Sequence, residues 1–153
     1  MTSQSKYRWS LSSWDTLSRD ELYTILQLRQ QIFVVEQNCP YLDADGTDHK
    51  ALHLQGYAQQ ELCAYARIFP PKEKNNTVVI GRVIVAQHFR GRGLGKILMQ
   101  KSHELSYEQF PQCRFFLSAQ SHLSSFYGDL GYQQCGEGYL EDDIPHIPMM
   151  KHE

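Results

Sequence analysis

The chain has 153 residues, 41% hydrophobic content and a formal net charge of −2, which suits one soluble domain over 1–153 with a real core. That charge gives no electrostatic case for nucleic acid as the main partner, and no apolar run is long enough to span a bilayer. The opening MTSQSKYRWSLSSWD has no apolar core of a signal peptide, and Cys39, Cys63, Cys113 and Cys135 form no C-x-x-C pair, so free thiols in a reducing cytoplasm are expected.

Lys6 to Leu11 reads as a first strand. Ser18-Arg19-Asp20-Glu21 matches a capping box, in which both side chains serve free N–H groups at a helix start. Leu22, Ile25, Leu26, Ile32 and Phe33 then share an apolar face and predict a helix over about 19–35, with Pro40 ending any helix before it. Leu42 to Lys50, LDADGTDHK, is a polar loop with three aspartates. With Gly46 at the sixth position of a calcium loop, Tyr41 and Leu52 would occupy the first and twelfth, where acidic ligands are needed, so that assignment fails. The loop reads either as a solvated turn or as an acidic wall that attracts a cationic amine.

Ala51 to Tyr57 and Leu62 to Phe69 read as an antiparallel hairpin around Gly56 to Glu61. His53, between Leu52 and Leu54, is either a packed strand residue or a catalyst. Pro70 to Asn76 is a turn. Val78, Val79, Ile80, Val83, Ile84 and Val85 form a short β-branched run, the mark of a buried strand. Arg90-Gly91-Arg92-Gly93-Leu94-Gly95-Lys96 follows, and then Leu94, Ile97, Leu98 and Leu105 fall at helical spacing until Phe110-Pro111. Phe115 to Ala119 is another short strand. Gln120 to Tyr132 reads as a helix closed by Gly131, with Leu123, Phe126, Tyr127 and Leu130 on one face. Gln133 to Leu140 and His146 to Met150 read as a closing strand pair joined by Glu141 to Pro145.

Strand, glycine-rich turn and helix in that order make an anion pocket, because the first turn of a helix carries unpaired N–H groups and the positive end of its dipole. A Walker A loop is excluded, since only Arg92, Gly93 and Leu94 separate Gly91 from Gly95-Lys96 and Ile97 stands where Ser or Thr is needed. A Rossmann fingerprint is excluded because Gly95 comes one residue early. Arg90-x-x-Gly93-x-Gly95 after a β-branched strand resembles the acetyl-CoA pyrophosphate loop of the GNAT superfamily of acyltransferases. Phe126-Tyr127-x-x-x-Gly131-Tyr132 resembles the superfamily segment in which a helix carries a tyrosine and turns through glycine into an aromatic-led strand.

Further stretches resemble the ElaA-type branch of that superfamily: Phe33 to Tyr41, Asp43-x-Asp45, His53-Leu54, Tyr65-Ala66-Arg67, Ile80 to Val83, Ala119-Gln120 and Asp143 to Met149. The likeness covers nearly the whole chain. Gln120 fits the branch, although the wider superfamily often has Asn seven positions before the tyrosine. Asp142-Asp143-Ile144, after Glu141, stands where Glu-Asp-Gly-Ile is expected.

The resemblance implies an α/β (α+β) GNAT fold, a mixed, mostly antiparallel sheet of about six or seven strands flanked by about four helices. It implies acetyl transfer from acetyl-CoA to a primary amine of a small molecule or peptide by direct attack. Acetyl-CoA is then a cosubstrate, no metal is required, and the protein is a monomer or homodimer. The pyrophosphate falls on the loop Arg90, Gly91, Arg92, Gly93, Leu94, Gly95 and Lys96, and the pantetheine arm on the edge of Val83, Ile84 and Val85. A backbone N–H near Ile84 or Val85 can hold the developing oxyanion, and Gln120 is a further cosubstrate contact. Tyr127 takes the role of the acid that meets the leaving thiolate, its alternative being a core tyrosine. Glu36, His53 and His146 are the candidates for removing the amine's proton. A non-catalytic acyl-CoA binding or sensing module is the competing reading.

Overall fold

The computed structural model describes residues 6–72 and 75–152, so Glu73 and Lys74 of the turn expected over 70–76 lie outside it. Strand β1 (Arg8–Ser13) leads to Ser18, whose side chain accepts from Glu21 N–H at 3.0 Å while the Glu21 carboxylate accepts from Ser18 N–H at 2.8 Å. That capping box starts α1 (Arg19–Arg29), and the helix continues through wider π-type turns over Gln30–Glu36. β2 (Leu52–Ala58), β3 (Glu61–Phe69) and β4 (Thr77–Val85) form a meander. The glycine turn leads to α2 (Leu94–Gln109), then β5 (Arg114–Gln120) and α3 (Ser124–Gly128). Short strands β6 (Gln133–Gln134) and β7 (Tyr139–Glu141) precede β8 (Ile144–His152).

All strands join one sheet in the order β1-β2-β3-β4-β5-β8-β6, with β7 also on β8. Among the described residues only the β4–β5 pair is parallel. The described residues hold eight strands and three α-helices, one helix fewer and at least one strand more than expected. The segment expected to be a helix from Gln120 begins with a 3₁₀ turn, Ser121–Leu123, so α3 itself is short. Its end is as expected: Gly131 has φ +98°, and Tyr132 N–H bonds Tyr127 O at 3.1 Å while Gly131 N–H bonds Gly128 O at 3.0 Å. The β7–β8 hairpin turns through Asp142 and Asp143 with φ +51° and +63°. Two left-handed residues make the tight hairpin turn that usually carries Asn-Gly, so the backbone keeps this shape without the missing glycine.

Apolar residues fill both faces of the sheet. Leu94, Leu98 and Met99 of α2 pack on Leu54, Ala66, Val78, Ile80 and Phe115, all nearly inaccessible. On the other face Ile25 and Ile32 meet Tyr65 and Ile84. Val78 and Ile80 thus face α2, yet Ile84, still on the even count, faces α1, while Val83 and Val85 pack on the α2 side. The alternation flips because β4 carries a bulge: Tyr65 pairs with Ile84 and Arg67 with Gly81, so Arg82 and Val83 together oppose Ala66. Arg82 sits there at φ +49°.

Candidate active site

β4 and β5 pair only through Thr77–Val79 and Arg114–Phe116. Beyond that, β4 stays with β3 as far as Val85 and β5 stays with β8 as far as Gln120. The two parallel strands therefore part like a wedge, and a cleft opens there, lined by Gly81 to Val83 on one side and Leu117 to Gln120 on the other. The bulge in the β3–β4 ladder falls where β4 runs along this cleft, and Arg82 and Val83 both line it.

The glycine turn lies at the far end of β4. Gly91 and Gly93 have φ +78° and +77°, and a Cβ on either would meet nothing within 4 Å. These glycines answer a backbone requirement and also leave open space before α2. Gly93 is the N-cap of α2, with no side-chain capping bond, and Ile97 N–H is bonded back to Gly93 O at 3.3 Å. The N–H groups of Leu94, Gly95 and Lys96 lie in the first turn, which has no intrahelical acceptors. Gly95 stands where α2 meets α3: a Cβ there would lie 3.4 Å from Phe126 Cζ and 3.8 Å from Val85 Cγ2, at ordinary contact distance. Arg92 and Lys96 are exposed.

Tyr127 lines the cleft and is buried, edge-on to Phe126 and Tyr132. Burial pushes its phenol up to about 12. Among the described residues its hydroxyl has no hydrogen-bond partner. Gln120 also lines the cleft and donates from Nε2 to Gln37 Oε1 at 3.3 Å.

The three candidate proton acceptors are separated. Glu36, at the end of the π-type turns, receives Arg90 Nη1 at 2.7 Å and Nη2 at 3.2 Å, and Arg90 Nε also donates to Val85 O at 3.1 Å. His53 is fully buried outside the cleft lining, with Nε2 2.9 Å from Asp48 O and Nδ1 2.6 Å from the Tyr65 hydroxyl. A carbonyl can only accept, so Nε2 carries the proton and the Nδ1 lone pair takes the Tyr65 hydroxyl. Burial lowers its affinity for a second proton. His146 does line the cleft. Register places Gln120, His146 and Tyr139 in one row across β5, β8 and β7. His146 Nδ1 donates to Ile144 O at 2.7 Å, and Nε2 lies 3.6 Å from Glu141 Oε2.

The acidic-wall reading of the 42–50 loop does not survive. Asp43 accepts Arg29 Nε at 2.6 Å and Arg82 Nε at 2.7 Å, and its carbonyl accepts a second nitrogen from each at 3.0 Å. Asp48 accepts Arg29 Nη1 at 2.7 Å and Arg67 Nη1 at 2.9 Å, and Asp45 accepts Arg67 at 2.8 and 3.0 Å. Three carboxylates and three guanidinium groups balance, so the loop is no acidic wall; most of it is exposed, as a solvated turn would be, but Asp43 and Asp48 are buried. Burial by itself would raise the Asp45 and Asp48 carboxyls, but the arginines hold both below the usual range. The network grips the Arg82 side chain and so holds the β4 bulge at the cleft.

Sequence reasoning missed the Arg82 bulge and the cleft residues Gln37, Ser118 and Glu141. One signal was present: apolar positions run even at Val78 and Ile80, then odd at Val83 and Val85. No local pattern marks the others, which meet only through strand register. No group of three or more His, Cys, Asp or Glu among the described residues is placed to hold a metal ion, and no described helix is long and apolar enough to cross a membrane.

Residues 40–153 match a family described as an acetyltransferase (GNAT) domain. Protein ElaA of Escherichia coli (strain K12) is 44% identical over 145 residues, covering 94% of this chain and 95% of that one. The crystal structure of Escherichia coli ElaA superposes with a TM-score of 0.89 at 42% identity, over 95% of this chain and 99% of that chain. An acyl-CoA N-acyltransferase from Pseudomonas aeruginosa gives a TM-score of 0.88 at 40% identity, over 94% and 99% of the two chains. The splayed parallel strands, the glycine turn and these likenesses agree, and the chain belongs to the GNAT acetyltransferase family.

Proposed function

We propose that the protein transfers an acetyl group from acetyl-CoA to a primary amine of a small molecule or peptide, by direct attack of the amine. One observation carries this reading: the wedge between β4 and β5 has an uncapped helix N-terminus at one end of β4 and the buried phenol of Tyr127 in its lining. The family supports acyl transfer from an acyl-CoA.

The amides of Gly91, Gly93, Leu94, Gly95 and Lys96 would receive the pyrophosphate, with Arg92 and Lys96 adding positive charge and Arg90 within the same turn. The free edge at Val83, Ile84 and Val85 would hold the pantetheine amides as a strand holds a strand. A freed N–H at the bulge would polarise the thioester carbonyl, and Gln120 would contact the cosubstrate from β5. Tyr127, pushed up to about 12, keeps its proton at neutral pH. A phenol this weak is a poorer acid than a thiol, so its contribution is a hydrogen bond to sulfur as negative charge develops there. The attacking nitrogen supplies the proton that finally resides on the thiol.

Of the proton-acceptor candidates, His146 is the one in the cleft lining. Glu36 is engaged by Arg90, and both ring nitrogens of His53 are engaged in the interior. The four cysteines are free thiols, which fits a reducing cytoplasmic setting.

Thiol release from acetyl-CoA, measured with a panel of amines, tests the reading. Wild type releases thiol with at least one amine, and Tyr127→Phe lowers kcat about a hundredfold. Tight CoA binding with no turnover on any amine would leave an acyl-CoA binding module instead.

A further inference from the structure

We propose that Glu141 is a positioning residue for His146, and that the two form a proton-accepting pair on the β7–β8 hairpin that deprotonates the incoming ammonium group. The inference rests on the acyl-transfer reading and gives a role to Glu141, which is not among the site residues read from the sequence. Glu141 belongs to β7 and His146 to β8, and the two-residue turn through Asp142 and Asp143 folds one back on the other.

Tautomer and orientation are set by neighbours. The Ile144 carbonyl, 2.7 Å from Nδ1, accepts a proton that Nδ1 must therefore carry. The neutral ring then has its lone pair on Nε2, beside the Glu141 carboxylate at 3.6 Å. The Tyr139 ring lies nearly parallel to the imidazole, with centroids 6.3 Å apart and planes 14° apart. Ser118 Oγ donates to Glu141 Oε1 at 3.3 Å and is bonded to the Tyr139 hydroxyl. One carboxylate oxygen is thus steadied from β5 while the other faces the imidazole. His146 is buried and lines the cleft, whereas the Glu141 side chain is about half exposed. No lysine or arginine pairs with Glu141 among the described residues.

The step balances as follows. An N–H bond of the substrate ammonium breaks and its proton moves to His146 Nε2, leaving a neutral amine and an imidazolium facing Glu141. The amine nitrogen bonds the thioester carbon, the C–S bond breaks, and the second nitrogen proton passes to the sulfur, so CoA leaves as the thiol. The imidazolium returns its proton to water at the exposed Glu141 edge. The new Nε2–H faces Glu141 Oε2, which fixes the direction in which the protonated ring points.

The test uses the full chain in three variants, Glu141→Gln, Glu141→Asp and His146→Gln. Long-range proton–nitrogen spectra of the imidazoles need no substrate: in Glu141→Gln the His146 Nε2 resonance moves by several ppm while Nδ1 remains protonated. An Nε2 resonance that does not move overturns the pair. Kinetics use acetyl-CoA with benzylamine, spermidine and trialanine as probes. Glu141→Gln lowers kcat about tenfold while KM for acetyl-CoA stays within about twofold, and Glu141→Asp regains part of the loss. Unchanged kcat in Glu141→Gln overturns the proposal. Wild type inert toward every amine tested sinks the acyl-transfer reading, while the spectra still decide whether the pair exists.

Discussion

Arg90 of the glycine turn and Glu36 at the end of the first helical segment meet in a two-point ion pair, at 2.7 and 3.2 Å, so the turn before α2 and the π-type turns after α1 touch directly. Both side chains are more than a third exposed, so the pair adds little to stability. Its consequence is for binding, because a CoA pyrophosphate and the Glu36 carboxylate would compete for one guanidinium. Glu36→Gln tightens CoA binding severalfold by calorimetry, and Arg90→Ala weakens it. If Glu36→Gln leaves the affinity unchanged, the competition does not exist.

Gly93 stands at φ +77° before open space. Gly93→Val puts a β-branched residue in a left-handed conformation, which costs about 1–2 kcal/mol of stability. The same side chain fills the space before the helix, so the CoA dissociation constant rises more than tenfold. Gly93→Asn separates the two effects, since Asn tolerates this conformation: stability stays near wild type and CoA binding still weakens. Urea unfolding and calorimetry read both.

Asp43 carries more of the fold than the exposed acidic residues. Asp43→Ala leaves the fully buried Arg29 guanidinium without its nearest carboxylate, an expected loss of about 3–5 kcal/mol. Arg82→Ala removes a partly exposed partner and costs less, about 1–2 kcal/mol. Denaturant unfolding of the two variants gives the order, and a larger loss for Arg82→Ala would contradict it.

His103 is buried against Phe115 with Nε2 2.8 Å from the Tyr132 hydroxyl. Burial, with a smaller contribution from the Lys151 charge, pushes its pKa down to about 4 from an ordinary 6.5. Between those values the unfolded chain binds a proton that the folded chain refuses, so stability is full above about pH 6.5 and falls as pH drops toward 4. The loss reaches about 3 kcal/mol. Buried His53, also lowered, acts with the same sign. His103→Gln flattens this slope in unfolding measured from pH 7 to 4, and an unchanged slope would assign the loss to other groups.

Legibility followed the range of the interactions. The capping box at Ser18 and Glu21, the glycine turn after β4 and the stop at Gly131 are local patterns, and each stands where the residues place it. The β4 bulge was visible only as a change of phase in the apolar positions, and Arg82 gives no local hint of a positive φ. The aspartate loop misled because its partners, Arg29, Arg67 and Arg82, come from three other elements.

By itself the chain determined the family, the order of strand, glycine turn and helix, and the tyrosine on a helix closed by Gly131, because short-range backbone and periodicity rules settle these. Tertiary structure alone decided which charges are cancelled and which of Glu36, His53 and His146 lines the cleft. Both depend on strand register and burial: register brings Glu141, His146 and Ser118 together, and burial closes His53 away. Electrostatics follows distance in space, and distance in space is not written in any local run of residues.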